Sequence, residues 1–377
     1  MPSRISAEIA QLARLARDGG LDLSQVSLRV KADLLMSTPT PAPDDLAAFG
    51  EMAAALVPGI DEATALILAR KIAGWRHAPA RAIAALRARG GAVLAALIQH
   101  GLPLGEAEIE GLAGSPDGRL PAALAERADL TATAVLILVE RGERALDFAL
   151  MANTAIALPR PALDLLLSRA RLDAGYAQPL LARRDLSSAE TAPLFLFAGP
   201  ERRQAILDSL AALEALSPSE RRPAVSGETL AGWLAMAADD RASAFEALSR
   251  HLGGGPALAQ ALEADVSRDL AALALTAAGA SVEDATRFLI RLGDEAAHSV
   301  DRIFAVVGLM RSVRPTVAQR LVAQIGGMAS PGAARRGQHQ PAMDPSGTPA
   351  RPAPARIEPA GSTSEILRKI GAKRDGA

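Results

Sequence analysis

Arg127 and Arg183 lie 56 residues apart, and each stands two positions ahead of an acid, Asp129 and Asp185. Arg184 sits beside the second of them, and the Arg202–Arg203 pair follows shortly after. A guanidinium is a planar, permanently charged fork that grips carboxylates and phosphates through paired hydrogen bonds. In a repeat protein equivalent positions line up on one surface, so these five side chains could form a stripe that reads anionic groups. The plainer reading is that each arginine pairs with the acid beside it or keeps a face solvated. A surface pair of that kind contributes only about 0–1 kcal/mol.

Other chemistries find less to work with. Of the five histidines, only His298 has a metal-like neighbour, Glu295, three residues before it. That spacing places both side chains on one helix face, but a di-metal carboxylate bundle needs two such pairs and further glutamates. The sequence holds no second pair and no HExxH. The run HLGGG, His251 to Gly255, resembles an oxyanion loop but has helical pattern on both sides and no strand before it. Neither a G-x-S-x-G elbow nor a phosphate-binding glycine loop occurs. The chain has no cysteine, which excludes disulfides and thiol chemistry. The residues therefore point to no catalytic site, cofactor or metal. Trp75 and Trp233 are expected in the core, with an interface anchor as the alternative.

The elements that would position these residues are helices. The chain is 49% hydrophobic but only 3% aromatic. A core built from Leu, Ala, Ile and Val favours helix over sheet. Leu102, Leu130, Leu158 and Leu186 recur every 28 residues, followed by Pro103, Thr131, Pro159 and Ser187, types suited to starting a helix. Leu138, Leu166 and Leu194 lie eight residues beyond the last three leucines, and Gly142, Ala170 and Ala198 lie twelve beyond. Such a unit holds two helices of about ten residues, too short to be stable alone, so neighbouring units must stack.

The expected organisation begins with N-terminal helices and a Pro-rich linker over residues 1–43. A helical-repeat array follows over 44–222 and a C-terminal helical module over 223–327. That module reads as helices from Thr229 to His251, Pro256 to Ala278, and Val282 to about Ile325 with a break near Pro315. Residues 328–361 have the composition of a disordered linker. Residues 362–377 read as a short amphipathic tail helix, in which Ile366, Leu367 and Ile370 stand among Arg368 and Lys369. From Met328 onward eight basic residues face four acidic ones, although the whole chain carries a net charge of −1. Near-neutrality argues against a general nucleic-acid binder. No segment approaches the roughly 20 apolar residues of a membrane span, and the cytoplasm is the expected compartment.

The junction wording, LAERADL at Leu124 to Leu130 and LARRDL at Leu181 to Leu186, joins a closing phrase from Phe288 to Ile325, FLIRLGDEAAHSVDRIFAVVGLMRSVRPTVAQRLVAQI. Together they resemble a bacterial family known as domain of unknown function 2336, over about Val30 to Ile325. The resemblance implies a HEAT-like α-solenoid and supplies no catalytic residues. The expected function is a non-enzymatic scaffold or adaptor that binds another protein, with the tail helix as a docking motif. A small-ligand protein or enzyme using a groove of the array is the alternative, with nucleic-acid binding through the arginine stripe behind it.

Overall fold

The Ala- and Leu-rich stripes resolve into nineteen α-helices and one 3-10 helix, with no strand, among the described residues. The computed structural model describes residues 23–328, apart from 172, 220–221 and 294–298. The tail helix and its linker, the first predicted helix and the Glu295–His298 pair lie outside them. No helix among the described residues is long and apolar enough to cross a membrane.

The first eleven α-helices are α1 (Leu23–Ser37), α2 (Pro43–Leu56), α3 (Glu62–Ile72), α4 (Ala80–Ala88), α5 (Gly91–His100), α6 (Glu106–Ala113), α7 (Arg119–Ala125), α8 (Ala132–Glu140), α9 (Arg144–Ala152), α10 (Arg160–Ala170) and α11 (Ala174–Ala182). The odd-numbered helices each pack on the next odd one: α1 on α3, α3 on α5, α5 on α7, α7 on α9 and α9 on α11. The partners behave alike, with α2 on α4, α6 on α8 and α8 on α10. This is the stacking that the 28-residue period requires. Thr131 caps α8, its Oγ1 accepting from Ala134 N at 3.1 Å, and Pro159 directly precedes α10.

Two junctions depart from expectation. After Leu102 the chain runs through Pro103, Leu104 and Gly105 before α6 begins at Glu106. Leu104 packs against the core in its place, and Leu102 is left 43% exposed. Ser187 caps a turn with Glu190 rather than an α-helix, and the chain continues into the 3-10 helix Ala192–Phe197. Leu138, Leu158, Leu166, Leu186 and Leu194 are buried, as the repeat predicts.

The remaining helices are α12 (Pro200–Leu216), α13 (Gly227–Asp239), α14 (Arg241–His251), α15 (Pro256–Ala264), α16 (Asp269–Ala277), α17 (Val282–Arg291), α18 (Val300–Ser312) and α19 (Pro315–Ile325). All nine residues of α16 are buried, under α19, α18, α17, α15 and α14. Its sequence, DLAALALTA, is apolar all round, as a helix enclosed by others must be. The sequence predicts three long helical stretches here; the structure breaks each of them. Asp240 ends α13 and caps α14, accepting from Ser243 N at 3.1 Å. Asp265 accepts from Leu270 N at 2.8 Å, and Arg268 turns the corner with φ 60°, a left-handed conformation that costs a side-chain-bearing residue energy. A short acidic side chain that binds nearby N–H groups competes with helix continuation, which explains both breaks. The break at Pro315 falls where expected.

Candidate functional site

The repeated arginines face inward. Arg127 and Arg183 are only 6% and 2% exposed. Each guanidinium reaches back one unit to the carbonyls that end a helix of the preceding pair. Arg127 donates to the carbonyls of Ile98, Gly101 and Leu102. Arg183 donates to Leu150 at 3.1 Å, Met151 at 3.2 Å, Asn153 at 3.0 Å and Ile156 at 2.6 Å. The last carbonyls of a helix lack intrahelical partners and carry the negative end of its dipole, so a cation there satisfies both needs. The neighbouring acids complete the arrangement. Asp129 accepts from Arg127 Nε at 2.7 Å and Nη2 at 2.6 Å, and Asp185 from Arg183 at 3.0 and 2.8 Å. Those bonds hold both carboxyls below the usual carboxylate range, against the opposing effect of burial.

The same device recurs where the sequence did not advertise it. Midway between the two arginines, Asn153 donates to the carbonyls of Ala125 and Arg127 at 2.9 and 2.7 Å. Arg141 and Arg169, 28 residues apart, hold the ends of α6 and α8 through Ser115 O at 2.9 Å and Val139 O at 2.8 Å. Arg89 Nη1 meets Val57 O, Pro58 O and Ile60 O at 2.9–3.1 Å. The Arg141–Arg169 spacing was the available signal.

The expected stripe is therefore corrected. Arg202 is partly buried and donates to Leu186 O and Thr191 Oγ1. Arg203 lies over the Phe195 ring at 5.1 Å and donates to Asp269 at 2.7 Å. Of the five, Arg184 alone is exposed. The guanidinium groups have been recruited by helix ends that need donors, so they do not form an outward row. The tail residues Ile366, Leu367, Arg368, Lys369 and Ile370 lie outside the described residues.

A different surface opens between α3, α4, α5 and the loop before α6. Trp75, Ile83, Leu94, Leu97 and Leu102 line an apolar cleft of about 200 Å³, with Arg76 and Arg87 among its lining. Trp75 is partly buried there, whereas Trp233 is core at 3% exposure. The Arg127–Asp129 pair holds the loop that carries Leu102: Arg127 donates to Leu102 O at 2.9 Å and Asp129 accepts from Leu104 N at 3.1 Å. Among the described residues no group of three or more His, Asp or Glu side chains is arranged to hold a metal ion.

Stacked short helix pairs, fastened by side chains at their ends and followed by a bundle around one enclosed helix, define an all-α protein with a repetitive front half. Residues 93–343 match the model of a family described as an uncharacterised protein conserved in bacteria (DUF2336). The chain belongs to that family. The match starts within α5, later than the resemblance in wording suggested, and runs past Ile325. No curated protein matches the chain, and no solved structure does.

Proposed function

We propose that this chain is a non-enzymatic scaffold or adaptor of the bacterial cytoplasm, an α-solenoid of HEAT-like helix pairs that holds an apolar segment of a partner protein. The supporting observation is the cleft at Trp75 and Leu102. An indole in a partly open apolar cleft that also holds Arg76 and Arg87 has the composition of an interface anchor. The loop presenting Leu102 is fixed on both sides by the Arg127–Asp129 pair, so the surface is formed before any partner arrives. Preorganisation of that kind lowers the ordering cost of binding.

The test is crosslinking affinity purification from a bacterium that encodes the protein. It compares the full chain, a chain ending at Gly327 and the variant Leu102→Glu. A partner kept by the first two and lost with Leu102→Glu supports the cleft. A partner recovered only with the full chain moves the docking element to the tail. No partner with any of the three removes the scaffold reading.

A further inference from the structure

Helix α19 starts without a cap. Pro315 and Thr316 open it, no side chain accepts from its first N–H groups, and its first turn carries no acid. Arg314, exposed, stands immediately before it and pairs with no carboxylate. The positive end of the helix dipole is thus left without an anion. Neighbouring α17 differs: Ser281 Oγ accepts from Asp284 N at 3.0 Å, and Glu283 and Asp284 occupy its first turn. Water alone can satisfy an open helix start, so the argument for a ligand rests on what lies one turn further on.

Gln319 follows Pro315 by four residues and Thr316 by three, on the same face of α19. It is only 7% exposed. Its side-chain amide makes no hydrogen bond within the protein, yet its polar atoms are not sealed off. They open on a cleft of about 310 Å³ that Pro315 and Thr316 also line. An amide buried without partners is unfavourable, and a ligand that supplies them recovers that loss. The facing wall is firmly built. Gly279, with φ 76°, lets Ala224 lie against the end of α16, where an added Cβ would stand 2.9 Å from Ala224 Cα. The carbonyls that end α16 are already engaged, Leu275, Thr276 and Ala278 accepting from Ala280, Gly279 and Val225 at 2.9–3.0 Å. Val282, Met310 and Val313 supply apolar surface. Among the described residues no carboxylate lines the cleft, and Arg222, which does, bonds only to His251 O at 3.1 Å.

We propose that this cleft binds a phosphate monoester with a small apolar substituent. The phosphate oxygens accept from the N–H and hydroxyl of Thr316 and from the Gln319 amide, as anions do at helix N-termini. Arg222 in the lining and Arg314 ahead of α19 add two positive charges without a counter-ion, which suits a near-dianion better than a monocarboxylate. The substituent rests on Val282, Met310 and Val313. Glu283 and Asp284 lie outside the lining and are held by Arg287 at 2.5 and 3.4 Å. This site is separate from the cleft at Trp75, so it neither needs nor excludes the scaffold reading.

Calorimetric titration of the full chain tests this, with phenyl phosphate as the probe and inorganic phosphate and benzoate as comparisons. Saturable binding is expected for phenyl phosphate, weaker for inorganic phosphate and weakest for benzoate. Gln319→Met should weaken phenyl phosphate at least about tenfold, as loss of a hydrogen bond to a charged group implies. It exchanges an unpartnered buried amide for an apolar chain of similar length, so the melting temperature without ligand should hold or rise. A glutamine needed only for folding would instead lower it and leave the affinity unchanged. If Gln319→Met does unfold the chain, Thr316→Val decides, because Thr316 is only half-buried and its hydroxyl makes no bond within the protein. It should weaken phenyl phosphate by a similar factor. Absence of saturable binding, benzoate or inorganic phosphate binding as tightly as phenyl phosphate, or affinity untouched by both substitutions overturns the proposal.

Discussion

In the stack from α5 to α11, side chains fasten one helix pair to the pair before it; in the bundle around α16, they tie together distant parts of the chain. Arg127 and Arg183 reach carbonyls 25–33 residues back and take their counter-ion two residues on. Asp269, at the head of α16, is held by Arg203 from 66 residues away and by Arg302 from 33. Glu214 is held by Arg320 from 106 residues away. Burial alone would raise the Glu214 carboxyl, yet the donors from Ser219 and Arg320 keep it low. The contrast has an energetic meaning. A stack gains stability unit by unit and can open unit by unit. A bundle that encloses one helix on every side gains most of its stability at once.

The largest expected effect lies in the bundle. Asp269 is 3% exposed and neutralises two arginines. Asp269→Ala leaves both without their acid, which should cost roughly 3–5 kcal/mol in urea-induced unfolding. The loss should appear as one cooperative transition involving Trp233 fluorescence, because Trp233 belongs to the same core. A cost below about 1 kcal/mol would place this pair with ordinary surface pairs and erase the contrast.

The stack offers its own internal comparison. Leu158 and Leu102 occupy equivalent sequence positions, but one is buried and the other 43% exposed. Leu158→Ala should cost roughly 2–5 kcal/mol, whereas Leu102→Ala should cost less than about 0.5 kcal/mol, as at a surface position. Hydrogen exchange should show the first change loosening α9 to α11 and leaving α16 protected. Equal costs would mean that Leu102 is packed in solution and that the cleft beside it is closed.

These two regions also divide what could be read from the sequence. The stack was legible because its contacts repeat: Leu130, Leu158 and Leu186, 28 residues apart, all pack into one core, so packing writes a period into the chain. The bundle was not. The contacts of α16 come from helices scattered over residues 241–325, and no spacing records them. Its breaks at Asp240 and Asp265 depended on which carboxyls turned back to cap a helix, a choice made by tertiary packing. The arginines were half legible. Pairing of Arg127 with Asp129 and of Arg183 with Asp185 follows from their spacing, but the carbonyls that draw each guanidinium inward belong to another unit.

The smallest expected effect separates charge from shape in the stack. Asp129→Asn keeps the size of the side chain and removes the charge facing Arg127. With the Asp129 side chain 28% exposed, the loss at pH 7 should be about 1 kcal/mol, the upper range for a partly solvated pair. Its dependence on pH follows from the lowered carboxyl pKa, caused first by the Arg127 hydrogen bond. The unfolded chain takes up this proton near the ordinary value of about 3.9, and the folded chain only at lower pH. The stabilisation is therefore complete above the unfolded value and is lost as pH falls through the folded one. Melting curves of wild type and Asp129→Asn should differ at neutral pH and converge below about pH 4. If the two melting curves coincide at neutral pH as well, the side chain acts by its shape, through the bond to Leu104 N, and the fastening of one unit to the next rests on the arginine alone.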